Sequence, residues 1–347
     1  MVLIVAYNAL NLGDDMFVKH ICETYKNIRF IIACKKEFSI SYLGIENLLI
    51  LNEKEQLVLY KEFIDVQVLI GGSLFMQPND STQIVDKFKS NTEYRMFDDI
   101  PFIIIGCNFG PYDSELHYSL HENWFSKLDS ISFRDNYSFE LFKHLNNVSV
   151  YPDILFDYCY PKDISKDHSI GVSLIFNDGR IGLPEYNEKH YIDFLLKSIN
   201  YHLKQGYKVK LFSFCNKQKD NITALKIKSI INDENLILIE YLGNIEQFLQ
   251  NLISVDFMIA TRFHSLVISM ANQIPVFPIV YNVKTINLLN DIDYQGNFCY
   301  INDCQRINQE HINENKHLIL NEIDFIKRNS KKHFLAFENL IKGAHYE

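Results

Sequence analysis

The sequence predicts an α/β protein made of two Rossmann-like domains facing each other across a cleft. Short β-branched apolar runs alternate with longer amphipathic stretches, the pattern of βα units feeding parallel sheets. The runs are almost continuously apolar, as in strands covered on both faces. The alternation also restarts after a polar, proline-containing stretch, YPKDISKDHS at 160–169. A length of 347 residues suits two domains of about 150 residues each.

In the first half the strand candidates are VLIVAY (2–7), IRFIIAC (28–34), LLIL (48–51), VQVLI (66–70), PFIIIG (101–106), SISF (130–133) and VSVY (148–151). Amphipathic stretches near 14–26, 53–62, 83–97, 115–127 and 136–145 supply the intervening helices. Residues 1–160 therefore form the N-terminal domain. The second domain, 168–310, has strands SIGVSLIF (169–176), YKVKLFSF (207–214), NLILIE (235–240), DFMIA (256–260) and PVFPIV (275–280). Its helices fall near 187–204, 218–232, 245–253 and 264–272. The tail, 311–347, carries a long helical pattern to about Leu340 that is expected to return to the first domain.

Hydrophobic residues make up 47% and charged residues 22%, which excludes a disordered, collagen-like or disulfide-stapled chain. Lys+Arg 34 against Asp+Glu 43 gives a net charge of −9, which argues against nucleic acid as the partner. An anionic substrate must then be held by a few placed cations. The seven cysteines form no Cys-x-x-Cys pair and, with the histidines, no zinc pattern, so no metal is expected. Most sit among apolar neighbours and read as buried thiols of a reducing, cytoplasmic setting. The chain opens on an apolar strand with no basic leader. Its apolar runs are too short to span a bilayer, so membrane contact is expected to be peripheral at most.

Ligands in open parallel sheets bind beyond the carboxyl ends of strands. After the first strand, Asn11-Leu12-Gly13-Asp14 opens a helix. A tight turn with an N-cap explains it, and presentation of the Asn11 amide to a substrate explains it equally. Gly71-Gly72 ends another strand and lets a group approach the backbone. The segment Gly106 to Pro111, containing Gly110, lacks dinucleotide spacing. Asp135 suits an N-cap. Beside it, Arg134 suits either a carboxylate or phosphate grip or a structural salt bridge. The strongest cluster is Arg262-Phe263-His264, between a strand and a helix. In an extended turn Arg262 and His264 would face one ligand, while Phe263 enters the core. A cation, an imidazole and a helix N-terminus together suit anion binding with proton transfer. Tyr281 and Lys284 follow the next strand, Lys284 being either a further ligand cation or a solvated lysine.

In order and spacing these pieces resemble the polysaccharide pyruvyl transferase family. The likeness runs through Asn11 to Asp14, Gly71-Gly72, Gly106 to Pro111, Arg134-Asp135 with Ser138, Pro152-Asp153, Arg262-x-His264, Pro275 and Tyr281-x-x-Lys284. Ser73 and Asn108 depart from it, standing where glycines are usual. The resemblance implies a GT-B-like fold and transfer of the pyruvyl group of phosphoenolpyruvate to two sugar hydroxyls, giving a cyclic ketal and phosphate. Phosphoenolpyruvate is then a donor substrate, and no cofactor is implied. The acceptor would be a sugar or oligosaccharide of an exopolysaccharide, capsule or cell-wall glycan. A lipid-linked precursor at the inner face of the membrane fits the same reading.

On this reading 1–160 is the acceptor side and 168–310 the donor side, Arg134, Arg262 and Lys284 clamp the donor, and His264 is the acid/base group. Asn11, Gly13, Asp14, Gly71, Gly72, Gly110 and Tyr281 complete the substrate-binding set. Two other readings remain open: a GT-B glycosyltransferase using a nucleotide sugar, and a non-catalytic glycan-assembly protein.

Overall fold

The structure is a computed structural model that describes residues 1–177, 179 and 185–343. It divides into two compact units: 1–8, 14–158 and 326–347 form the first, and 9–13 with 159–325 form the second. The division differs from the expected boundaries in two ways. The segment Ala9–Gly13 belongs with the second unit, and the tail is split at residue 325 instead of leaving as one piece.

The first unit holds seven parallel strands: β1 (Val2–Val5), β2 (Phe30–Ala33), β3 (Leu48–Leu51), β4 (Val66–Ile70), β5 (Phe102–Cys107), β6 (Ser130–Phe133) and β7 (Val148–Val150). Their order is β3-β2-β1-β4-β5-β6-β7, so the winding reverses between β1 and β4. Helices α1 (Leu12–Thr24), α2 (Ile84–Thr92), α3 (Glu115–Phe125) and α4 (Asn136–Phe142) lie between strands. All residues of β4 and β5 are buried, as their unbroken apolar runs require. The expected helix near 53–62 is a 3-10 segment, Lys54–Phe63, closed by a Glu53–Gln56 capping box.

The second unit holds β8 (Ser169–Ser173), β9 (Lys208–Ser213), β10 (Leu236–Glu240), β11 (Phe257–Ala260), β12 (Val276–Val280) and β13 (Cys299–Tyr300), all parallel. The order β10-β9-β8-β11-β12-β13 reverses between β8 and β11. Its helices are α5 (Glu188–Lys204), α6 (Asp220–Ile230), α7 (Ile245–Ile253), α8 (Phe263–Ala271) and α9 (Val283–Asp291). Both β13 and α9 escape the sequence reading. The first is only two residues long, and α9 starts from Asn282, whose side chain accepts from the Thr285 amide at 3.3 Å.

The tail is not one long helix. It contains α10 (Gln309–Asn313), a 3-10 turn Glu314–His317, α11 (Ile323–Ser330), a second 3-10 turn Lys331–Phe334 and α12 (Leu335–Gly343). The first break has a tertiary cause. Asn315 donates its side-chain amide to the carbonyls of Val276 (2.9 Å) and Asn297 (2.7 Å), and Leu318 turns extended. Residues 344–347 of the expected tail lie outside the described residues. Within the first unit, Tyr25 donates to Glu338 (2.8 Å) and packs edge-on against Phe334 and Phe337. Ser330 donates to the Asp153 carbonyl at 2.7 Å.

Six of the seven cysteines are buried free thiols and Cys159 is exposed. Burial pushes the Cys34 thiol up to about 12. Among the described residues no cluster of side chains could hold a metal ion. No helix among them is long and apolar enough to cross a membrane.

Among the described residues five histidines are buried: His20, His117, His121, His202 and His333. Burial pushes His20 and His202 down to about 4, and His121 and His333 to about 3. His117 is lowered as well, again by burial. The bonding suits neutral rings. His121 Nδ1 lies 2.8 Å from the His117 carbonyl, and its Nε2 lies 3.0 Å from the Asn91 amide nitrogen. Unfolding restores values near 6.5, so the unfolded chain binds more protons below that pH. Stability is therefore fully present above about pH 6.5 and falls as the pH drops toward 4, by about 1.4 kcal/mol per pKa unit of each shift. Urea midpoints measured from pH 7 to 4.5 should decline steadily; a flat profile would contradict neutral burial of these rings.

Candidate functional site

In each sheet the chemistry-bearing residues collect beyond the carboxyl ends of the strands, and in the second unit they gather where the winding reverses. In the second unit that point lies between β8 and β11. Ser173, the last residue of β8, accepts the backbone N–H groups of Thr261 (2.9 Å) and Arg262 (3.1 Å). Its hydroxyl also lies 2.6 Å from that of Ser265, which donates to the Arg262 carbonyl at 2.6 Å. Tyr191 of α5 reaches Thr261 Oγ1 at 2.9 Å. The turn carrying Arg262 is thus tied to the neighbouring strand, to its own helix and to α5.

Arg262 is the extended N-cap residue of α8, and Phe263 is already helical. The expectation that 262 and 264 alternate along an extended turn therefore fails after Arg262, because α8 begins one residue later. His264 instead occupies the first helical turn, half-buried. The Arg262 guanidinium points at protein partners: Nη2 donates to Asp220, Nη1 to Gln218, and Nε to the Leu174 carbonyl at 3.2 Å. Asp220 has no exposed side-chain surface, and its second carboxylate oxygen accepts the amides of Phe214 and Cys215, each at 3.1 Å. Burial works against the Arg262 charge, but the Asp220 carboxylate outweighs it and holds the guanidinium above its ordinary range.

Lys284, in α9, places its ammonium 5.4 Å from the Phe263 ring centre and 5.9 Å from that of Tyr281. The Phe263 and His264 rings are 5.4 Å apart, and Tyr281 is near enough to Arg262 to raise its pKa. The structure therefore brings Arg262, His264, Tyr281 and Lys284 together within the second unit. Asn11 and Gly13 join them, because Leu12 donates to the Phe214 carbonyl (3.2 Å) and Cys215 Sγ lies 3.8 Å from the Ala9 carbonyl oxygen.

Arg134, Asp14, Gly71, Gly72 and Gly110 belong to the first unit. Asp14 is in the first turn of α1, close to Gly72: a Cβ there would lie 3.3 Å from Asp14 Oδ1. Gly71 has φ +82, and a Cβ on it would sit 2.1 Å from the Phe17 ring, so this strand end requires glycine twice over. Gly110 donates its N–H to the Phe75 carbonyl at 3.0 Å. The Arg134 side chain is only 2% exposed. Its Nη1 bonds Asp153 at 2.9 Å, and Nη2 bonds Asn108 (2.8 Å) and Ser73 (3.1 Å). Of the two sequence readings of Arg134, the salt bridge is the one on display, with Asp153 as its partner. The two departures from the family pattern, Ser73 and Asn108, are both among the residues it binds.

Asp220, Gln218, Ser173 and Ser265 were not singled out from sequence. Asp220 and Ser173 left only faint signals, an acid opening α6 and a serine closing an apolar strand.

Two Rossmann-like units, each with a polar cluster beyond the carboxyl ends of its parallel strands, define a GT-B-type protein. The chain belongs to the polysaccharide pyruvyl transferase family, whose profile matches residues 11–283, and is thus a transferase of polysaccharide modification. Among curated proteins none matches the chain. Solved structures share the fold at low identity. UDP-GlcNAc 2-epimerase from Methanocaldococcus jannaschii, in complex with UDP-GlcNAc and UDP, is 11% identical with a TM-score of 0.61, covering 100% of this chain and 99% of that one. HepE from Anabaena, in complex with UDP and glucose, is 11% identical with a TM-score of 0.57, covering 99% of both chains.

Removing one member of a buried ion pair strands the other charge, at a cost of about 3–5 kcal/mol. Asp220→Asn and Asp153→Asn should each lower unfolding stability by roughly 3 kcal/mol, read from urea denaturation. A loss under about 1 kcal/mol would mean that the guanidinium finds water or another acceptor.

Proposed function

We propose that this protein transfers the pyruvyl group of phosphoenolpyruvate to two hydroxyls of a glycan sugar. Family membership supports a pyruvyl transferase, and one observation carries the donor assignment. A buried arginine, an imidazole, a lysine and a tyrosine meet at the N-terminus of α8, in an acidic protein. Phosphoenolpyruvate bears a carboxylate and a phosphate, and such a set suits both. Lys284 and the α8 amides would take one anionic group. Arg262, held flat by Asp220 and Gln218, would present its remaining edge and fix the turn.

In the reaction the carbon–carbon double bond opens: the methylene carbon gains a proton, a sugar hydroxyl adds at the neighbouring carbon, and the proton that this hydroxyl gives up balances the one gained. The bond from that carbon to the phosphate oxygen then breaks. The second hydroxyl closes the ring, and its proton leaves with phosphate. Two C–O bonds form and one breaks, with no change of oxidation state. His264 is the group we assign to proton transfer, worth about 10²–10⁴-fold. Arg134 enters the proposal as the residue that orders Ser73, Asn108 and the Gly71-Gly72 turn on the acceptor side. Asp14 and Gly110 of the first unit would serve the acceptor, a sugar or oligosaccharide that could be lipid-linked, which would bring the protein to the inner face of the membrane, and Asn11 would contribute from the second unit's cluster.

Phosphate release from phosphoenolpyruvate, with and without candidate glycans, is the direct test. His264→Ala should cut turnover by at least about 10²-fold while donor binding, followed by thermal shift, persists. Lost donor binding with normal turnover at saturation would reject that role. Arg262→Lys should weaken the donor although charge is kept, because the planar fork and its Asp220 contact are lost. The fold neighbours that hold UDP or a UDP-sugar favour one second reading, a nucleotide-sugar transferase. Stabilisation by a UDP-sugar and not by phosphoenolpyruvate would select it.

A further inference from the structure

Gly13 is buried and sits in the first turn of α1, where its backbone is helical and φ is not positive. Helical glycine is normally a liability there, since alanine is the better helix former. The reason for glycine is therefore not the backbone. A Cβ built on Gly13 would lie 1.7 Å from His264 Nδ1, 2.1 Å from Cε1 and 2.4 Å from Cγ. All three nearest atoms belong to one imidazole, so the ring lies flat against the Gly13 backbone. Both residues belong to the second unit. The Ala9–Gly13 segment is anchored there by the Leu12–Phe214 hydrogen bond of 3.2 Å, next to the amides that Asp220 holds.

We propose that Gly13 is the positioning residue for His264: its missing side chain is the slot that fixes the imidazole plane over the N-terminus of α8. The proposal rests on the pyruvyl-transfer reading only for its effect on rate. A methyl group at 13 would overlap the ring and force it to another rotamer, because the imidazole is the movable end of its side chain.

The test is a double-substitution cycle with Gly13→Ala and His264→Ala. With His264 present, Gly13→Ala should lower the thermal midpoint by several degrees. In the His264→Ala background the same substitution should raise it, since only the helix preference then remains. In protein with isotopically labelled histidine, the His264 imidazole signals, assigned by their loss in His264→Ala, should shift and titrate at a different midpoint in Gly13→Ala. For phosphate release from phosphoenolpyruvate, kcat should fall about 100-fold with KM within about threefold, and the pH profile should move with the imidazole. Equal thermal shifts in the two backgrounds with unmoved imidazole signals would overturn the proposal. If Gly13→Ala alone fails to fold, recovery of folding in the double variant supports it and failure of both variants overturns it. A sign reversal and displaced imidazole signals in a protein that never turns over phosphoenolpyruvate would leave the positioning role standing and remove the pyruvyl-transfer reading instead.

Discussion

The Asp220 carboxylate is the charge around which the second unit's strand-end loops close. It is fully buried, and a buried carboxylate is tolerated only when its oxygens are bonded and its charge is matched. One oxygen takes the Arg262 guanidinium, and the other takes the Phe214 and Cys215 amides at the end of β9. Through these bonds it fixes the arginine turn after β11 relative to the loop after β9. That loop in turn holds Leu12 by its Phe214 carbonyl, and with it Gly13 against His264. The imidazole, the arginine and the N-terminal segment thus share one electrostatic anchor.

The first unit repeats the device with different elements. Arg134 at the end of β6 pairs with Asp153, whose other oxygen accepts the Leu155 amide at 3.0 Å and whose carbonyl accepts Ser330 from the tail. Ser73 after β4 and Asn108 after β5 complete the ring of acceptors. Each parallel sheet therefore has a buried Arg–Asp pair at its carboxyl edge. Strands of a parallel sheet all have their carboxyl ends on one edge, so the connecting loops that gather there carry polar groups that need internal partners. A buried ion pair with several hydrogen bonds meets that need and keeps the loops in one geometry.

Much of this was legible in the sequence. The alternation of apolar runs and amphipathic stretches located twelve of the strands; the central ones are buried throughout, and the edge strands β3, β7 and β10 keep apolar runs although they are less covered. The cluster of Arg262, His264, Tyr281 and Lys284 stood out because chemistry-bearing residues at strand ends are rare in so apolar a chain. The misses have physical causes. The two-residue β13 is too short to show a period. The tail keeps helical periodicity through Asn315, but that side chain bonds β12 and ends the helix there. Asp220 lies 42 residues from its arginine, and spacing carries no signal at that range.

By itself the sequence determined the two βα units, the family and the basic and imidazole side chains at the strand ends, because those depend on composition, local period and short motifs. Only the tertiary structure decided what each side chain does there. It turned Arg134 and Arg262 toward buried aspartates, gave Ser73 and Asn108 to Arg134, and laid His264 on Gly13. Those outcomes depend on which distant groups must share the few buried charges and the little free volume, and that competition is settled only when the sheets have formed.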